Sequence, residues 1–347
     1  MASPVFVWSK SQCGFGIRFA KALAYNTGKT TRCCYSTSKM LEQRGKQADY
    51  FPPVKTPMLP ADTFKGKVAL VTGGGTGVGR SITMMLSQLG AEVTILSRKL
   101  DVVKKTADEI SSTTNNNVLA LQCDVRDHTC VRSCVSECIT EMGLPQIIIN
   151  ASSGNIIAPT ERLSPNAWAT VVDSTLTGTA NVITDVGKRL ISAHQSAVFL
   201  NISAAYALSG SGYVTPSAAA KAGINALTKS LGSEWTKYGM RFNAIALGPI
   251  FTKKSAVLRE EAFRLLDTAG EFQTHLSERI SIGRVGETEE VANLACYLVS
   301  DYSTYMNGAI VQFDGGEANF MSGEFNQLQS VSEENWDMIE DKMRRTK

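Results

Sequence analysis

From residue 64 onward, short apolar runs alternate with longer stretches in which apolar positions recur every three or four residues. The short runs are Val68–Thr72, Glu92–Ser97, Val118–Cys123, Gln146–Asn150, Ala197–Ile202, Arg241–Ile245 and Ala309–Phe313, rich in Val and Ile and 5–6 residues long. Such runs predict strands. Helical periodicity fills the intervals at 78–89, 101–112, 127–142, 165–192, 213–238 and 287–299. Strands that are apolar on both faces and separated by helix-length segments predict an α/β fold, a doubly wound parallel sheet covered on both sides. No internal repeat or low-complexity linker interrupts this alternation, so 64–320 reads as a single domain. Residues 42–63 contain Pro52, Pro53, Pro57 and Pro60 and predict an extended lead-in. Residues 321–347 form a C-terminal extension in which Trp336, Met338, Ile339 and Met343 sit among charges. They predict a short helix packed on the domain or on a neighbouring subunit.

The first strand opens the most informative stretch, Val68–Arg80, VALVTGGGTGVGR. A strand, a glycine cluster and a helix start form the first half of a Rossmann-type dinucleotide-binding unit. The pyrophosphate must approach backbone N–H groups at the positive helix end, which a Cβ would obstruct. The spacing here is Gly73-x-x-x-Gly77-x-Gly79 rather than the commoner G-x-G-x-x-G. The candidate cofactor cradle is Gly73, Gly75, Thr76, Gly77, Val78 and Gly79. The second strand ends Ser97-Arg98-Lys99, with no acid to receive a ribose 2′-hydroxyl. An arginine fork there suits a 2′-phosphate, which favours NADP(H) and makes Ser97 and Arg98 candidate contacts. Asp124, after the third strand, is placed either to contact the adenine or to cap a helix.

Composition narrows the function classes. The chain has 347 residues, 43% apolar and 19% charged, with a net charge of +3, as expected of an ordinary globular protein with no electrostatic case for nucleic acid. No run approaches the ~20 apolar residues of an integral membrane segment. Residues 1–41 are basic and rich in Ser and Thr, with no acid before Glu42, and Phe15, Phe19 and Leu23 can share a helical face. This is the composition of a mitochondrial transit peptide, which predicts a mitochondrial matrix location. Eight cysteines in this length do not form a disulfide framework. Cys130, Cys134 and Cys138 recur every four residues near His128, but three thiols on one helix read as buried small hydrophobes, so no metal is expected.

Taken together, TGGGTGVG at 72–79, Asp124-Val125, Asn150 ending the fourth strand, Lys221 in the fifth helix, Gly248-Pro249-Ile250 and Asp314-Gly315-Gly316 resemble the short-chain dehydrogenase/reductase superfamily over residues 64–316. Within it, the segments at 97–112, 159–168, 234–243 and 322–326 resemble the mitochondrial 2,4-dienoyl-CoA reductases. The resemblance implies an oxidoreductase that reduces 2,4-dienoyl-CoA to trans-3-enoyl-CoA with NADPH, an auxiliary step of fatty acid β-oxidation and so of lipid metabolism, in a homotetramer. It adds Gly248, Pro249 and Ile250 to the cofactor contacts. It also implies substrate contacts at Arg126, Asn155, Ile156, Ser164 and Arg264. A 3-ketoacyl or carbonyl reductase of the same superfamily, and a non-catalytic NADPH-binding subunit, are the alternatives.

Most of the superfamily carries a tyrosine four residues before the lysine, on one helical face. Here that position is Ser217. Tyr206 and Tyr213 both precede it, and spacing does not choose between them. The dienoyl-CoA reductases share the serine and use a tyrosine on the loop after the fifth strand, which implies Tyr206 as proton donor and leaves Tyr213 at a packing position. The same resemblance gives Lys221 and Ser217 to the cofactor and hydrogen-bond network, and Asn155 to the thioester oxygen. Further departures are Thr175 where many members have asparagine, Leu247 for the first proline of a P-G-P turn, and an apparent insertion within 253–270.

Overall fold

The computed structural model describes residues 47–252, 277–326, 328 and 331–345. The residues of the expected transit peptide, Arg264 and the apparent insertion lie outside them. In chain order the elements are β1 (Val68–Thr72), α1 (Gly77–Gln88), β2 (Glu92–Ser97), α2 (Leu100–Thr114), β3 (Val118–Gln122), α3 (His128–Met142) and β4 (Ile147–Asn150). They continue with α4 (Pro165–Val172), α5 (Gly178–Ser192), β5 (Ala197–Ala204), α6 (Tyr206–Ser209), α7 (Thr215–Glu234), β6 (Met240–Leu247), α8 (Thr288–Val299), β7 (Ile310–Phe313), α9 (Glu317–Ser322) and α10 (Glu333–Arg345). Each expected strand is present, with ends shifted by at most two residues.

The strands form one parallel sheet ordered β3-β2-β1-β4-β5-β6-β7. The order reverses between β1 and β4. Crossovers leave in opposite directions there and open a crevice beyond the carboxyl ends of the strands. Alternate residues feed opposite layers, as the two-residue repeat of a strand requires. Ala69 and Val71 join the layer that includes Ile82, Val103, Ile110 and Leu298, while Val68 and Leu70 join Val131, Val135, Ile183 and Leu190 on the other face. Phe199 and Phe242 stack with ring centroids 4.5 Å apart, and Trp235 closes edge-on at 5.9 Å.

Two expected helices differ. The 165–192 pattern is interrupted by a π-helical turn, Asp173–Thr177, between α4 and α5. Within it Ser174 Oγ donates back to the Thr170 carbonyl at 2.7 Å, and Thr175 Oγ1 turns to the loop after β4. Wide turns of this kind bend a helix and re-aim one side chain without changing the apolar periodicity. The 213–238 pattern begins instead at Thr215, because Tyr213 has φ +64°, outside the helical region. It ends at Glu234 before a short 3₁₀ turn, Thr236–Tyr238.

The lead-in is extended after a helical turn at 47–49 and runs along the start of α8. Asn293 there accepts from Met58 N at 2.8 Å and donates to the Thr56 carbonyl at 2.9 Å, while Arg284 donates to the Phe51 carbonyl at 2.6 Å. At the other terminus, α10 buries no residue. Trp336 meets Phe320, Phe325 and Leu328 in an apolar cleft, but Met338 and Met343 face outward.

Candidate active site

The turn between β1 and α1 is three glycines and Thr76. A Cβ at Gly79 would lie 2.3 Å from the Gly73 carbonyl oxygen, and Gly73 itself holds φ +69° against the Ala151 backbone. Helix α1 has no side-chain cap at Thr76 and no acid in its first turn. Its first N–H groups therefore carry no side-chain cap and no acid of their own turn, the arrangement that receives a phosphate. Thr106 Oγ1 donates to the Gly75 carbonyl at 2.9 Å and pins the turn from behind. Gly77 has φ +53°, and Val78 is half-buried behind it. The residues present fit a dinucleotide.

Beside this turn, the ends of β2 and β3 make a second cleft of about 330 Å³, lined by Arg98, Gln122, Asp124 and Cys130. Arg98 is exposed, and its backbone carbonyl accepts from Gln122 Nε2 at 3.0 Å. Ser97 is half-buried and gives its carbonyl to Cys123 N. Asp124 is not a helix cap; Asp127 performs that role for α3. Instead Arg126 donates to both Asp124 oxygens, at 2.6 Å from Nη2, and holds the Asp124 carboxyl below the usual carboxylate range. Arg126, expected at the substrate, is thus engaged by Asp124 on the cofactor side.

The catalytic candidates converge at the end of β5. Tyr206 is the first residue of α6, separated from that strand by Ala205 alone. Its Oη lies 3.0 Å from Ser217 Oγ on α7. Lys221 is one turn further along α7, and its Nζ donates to the Ile202 carbonyl of β5. Lys221 is only 6% exposed, and burial lowers its pKa from 10.5 to about 8. Below it, Ser203 Oγ donates to Asn225 Oδ1 at 2.6 Å, and Asn201 bridges Asn150 and Thr228 at 2.9 Å each. Asn150 Oδ1 and Asn225 Nδ2 are buried without a hydrogen-bond partner among the described residues. Orphaned polar atoms of this kind mark a polar interior rather than a dry one.

Tyr213 does not enter this group. It is 65% exposed, and only its backbone carbonyl is used, accepting from Ala158 N at 2.9 Å. It therefore does not take the packing position that the resemblance gives it, because its left-handed backbone turns the ring outward. Asn155 and Ile156 lie on the loop after β4, Asn155 exposed and Ile156 half-buried. That loop is held by Gly154 N donating to Thr175 Oγ1 at 3.1 Å, and by Ala151 N and Ser152 N donating to Thr72 Oγ1. Ser164, expected at the substrate, is the cap of α4, accepting from Ala167 N at 3.1 Å. Ile250 is a core residue, 9% exposed. The Gly248-Pro249-Ile250 turn is closed by Gly286 N donating to the Pro249 carbonyl at 3.0 Å, and a Cβ on Gly248 would lie 2.5 Å from Asp314.

Sequence reasoning missed the parts that sit behind the site. Thr175 as the clamp of the Asn155 loop, and the Asn150–Asn201–Thr228 chain, are ordinary polar residues one element away. The only available signal was the polar interruption of two otherwise apolar strands at Asn150 and Asn201. The thiols also group differently from the expected i, i+4 row. Cys123 joins Cys130 and Cys134, whereas Cys138 is buried among core residues.

Comparison with known proteins agrees with this geometry. The family model described as Enoyl-(Acyl carrier protein) reductase matches residues 73–317. An uncharacterized oxidoreductase of Caenorhabditis elegans is 44% identical over 301 residues, 85% of this chain and 94% of its own. A second protein of that organism, named "Probable 2,4-dienoyl-CoA reductase 3 [(3E)-enoyl-CoA-producing]", is 40% identical over 299 residues, 85% of this chain and 95% of its own. A crystal structure from Agrobacterium tumefaciens with bound NADP superposes with a TM-score of 0.66 at 31% identity, covering 75% of this chain and all of its own. With a matching family model, the reversing parallel sheet, the glycine-rich β1–α1 turn and the lysine on α7, the chain belongs to the short-chain dehydrogenase/reductase family of oxidoreductases.

Proposed function

We propose that this chain is an NADPH-dependent 2,4-dienoyl-CoA reductase forming trans-3-enoyl-CoA. The observation that carries the reading is the contact of Tyr206 Oη with Ser217 Oγ at 3.0 Å, in a site where the usual tyrosine position is that serine. Nicotinamide chemistry supplies a hydride equivalent, delivered to C5 of the dienoyl thioester. The chain's own residues handle the charge and the proton. The thioester withdraws electrons through both double bonds, so negative charge collects on its oxygen. Asn155 donates its amide N–H there, stabilising charge as it develops. Tyr206 Oη donates its proton to C2, which leaves the remaining double bond between C3 and C4. Ser217, hydrogen-bonded to Tyr206, orients the phenol. Lys221, anchored on the Ile202 carbonyl, hydrogen-bonds the nicotinamide ribose and supplies the nearby positive charge that favours the phenolate left behind. Arg98 takes the adenosine 2′-phosphate. Arg126 and Ile156 border the substrate, with Ser164 acting through its helix cap.

The acid-free segment 1–41 supports import into the mitochondrial matrix, with cleavage within its last dozen residues. The exposed Met338 and Met343 on α10, beside the half-covered Trp336, support a homotetramer in which that helix meets a neighbouring subunit.

Tyr206→Phe should retain NADPH binding and lose turnover by ~10²–10⁴-fold, the usual weight of a general acid. Tyr213→Phe should stay active, and the product should carry the transferred deuterium at C5. Full activity in Tyr206→Phe would remove that assignment, and a 2-enoyl product would remove the protonation at C2.

NADPH should be used far better than NADH. Arg98→Ala should raise KM for NADPH and leave NADH nearly unchanged, whereas equal use of both cofactors by the unaltered protein would defeat the 2′-phosphate reading.

Lys221 gives a pH signature. Its native pKa of about 8 lies below its unfolded value of 10.5, so between these limits the unfolded chain binds more protons. The apo protein should therefore gain stability from this group as pH rises from 8 to 10.5, and the gain should be absent in Lys221→Met. Urea unfolding of both proteins across that window measures it, and parallel profiles would show that Lys221 is not buried as described.

Mass spectrometry of the endogenous protein from a mitochondrial fraction should find a terminus near residues 30–40. An intact Met1 in a cytosolic fraction would overturn the localisation.

A further inference from the structure

Three thiols stand together on the wall of the cleft between the ends of β2 and β3. Cys123 follows β3, and Cys130 and Cys134 lie one turn apart on α3. The three Sγ atoms are all within 4.8 Å of one another. Two of them address the same backbone oxygen: Cys134 Sγ donates to the Gln122 carbonyl at 3.3 Å, and Cys130 Sγ approaches it at 3.9 Å. Helix α3 is fixed in this position by Asp127, which accepts from Thr129 N at 2.8 Å and Cys130 N at 3.3 Å. Cys123 and Cys134 are buried, whereas Cys130 is half-buried and lines the cleft with Arg98, Gln122 and Asp124. The cluster therefore has two enclosed ligands and one at an open wall, an arrangement through which a solvated ion can enter.

From this juxtaposition we infer that Cys123, Cys130 and Cys134 form a three-thiolate site for a divalent thiophilic d¹⁰ cation of the zinc class. Metal–sulfur bonds of ~2.3 Å at tetrahedral angles hold sulfurs about 3.8 Å apart, so thiols already within 4.8 Å of one another need to close by no more than about an ångström onto the ion. The ligands come from two elements, the end of β3 and the start of α3, rather than from one helix face. Cys138, which completes the i, i+4 row in sequence, takes no part. Binding replaces three S–H bonds with three metal–sulfur bonds and releases three protons to solvent, with no change of oxidation state. The fourth position faces the cleft and is filled by water. Soft thiolates select this class of ion over magnesium or calcium.

The test uses cadmium as the probe. The full chain carrying Cys13→Ser, Cys33→Ser and Cys34→Ser, which removes the thiols before residue 42, is titrated with Cd²⁺ under reducing conditions. Thiolate-to-metal charge-transfer absorption is followed. One ion per chain is expected. Adding Cys130→Ser, at a half-exposed position that leaves the core intact, should cut the band by about one third, the share of one thiolate in three. Affinity should fall at least as far as the roughly 10- to 100-fold seen when residues outside a metal's ligand set are lost. Cys138→Ala should leave stoichiometry and band unchanged, with circular dichroism reporting the fold of each variant. No saturable band in the parent protein, or an undiminished band in Cys130→Ser, would overturn the site. An equal loss in a folded Cys138→Ala would overturn the choice of ligands.

Discussion

Parallel strands cannot be joined by a tight turn, so every link in this sheet must cross a face of it. That constraint organises the molecule. Each crossover carries a helix, each helix must bury its apolar stripe on the sheet, and both faces are consumed as core. The strands become mostly apolar, which concentrates the chemistry at their carboxyl ends. Where the order reverses between β1 and β4, neighbouring crossovers diverge and the sheet's carboxyl edge is uncovered. The β1–α1 turn, the Asn155 loop, the Tyr206 turn after β5 and the Gly248 turn after β6 all lie at that edge. Their sequence separations run to well over a hundred residues.

The site differs from a simple surface cleft because polar groups extend inward from it. Asn150 and Asn201 occupy paired positions on β4 and β5, where valine or isoleucine would otherwise complete the layer. Their amides pair with each other and with Thr228 on α7, which offsets part of the cost of burying them. Lys221 is fixed above this chain by a single carbonyl of β5. A buried ammonium with one neutral acceptor and no carboxylate partner among the described residues is poorly compensated, which is why its pKa falls. The same poor compensation makes it responsive to anything negative that arrives in the crevice.

The thiol cluster and the cofactor cradle share a wall but use different physics. The cradle works by its run of glycines, so that backbone N–H groups meet a ligand directly. The cluster works by convergence of side chains from a strand end and a helix start. Asp124, between them, is held by Arg126 and so contributes to the charge of that wall without serving as a thiol partner.

Much of this was legible in the sequence because it is written in local patterns. The alternation of apolar runs with helical periodicity determined the doubly wound sheet. The glycines of 73–79 determined a backbone approach, and the lack of an acid after Leu96 determined the charge offered to the cofactor. Tyrosine choice was not legible, since Tyr206 and Tyr213 are equally acceptable by spacing. The family resemblance favours Tyr206, and the fold distinguishes the two by starting a helical turn at one and placing the other at φ +64°. The resemblance implies substrate contacts at Arg126 and Ser164, whereas the engagement of one by Asp124 and the capping of α4 by the other are visible only in the folded chain. Periodicity likewise gave the cysteine row at 130, 134 and 138, whereas the third thiol beside Cys130 and Cys134 is Cys123. A helix repeat predicts neighbours along one element. Which residue of another strand comes to meet them is decided by how the two elements pack, and that information exists only in the tertiary structure.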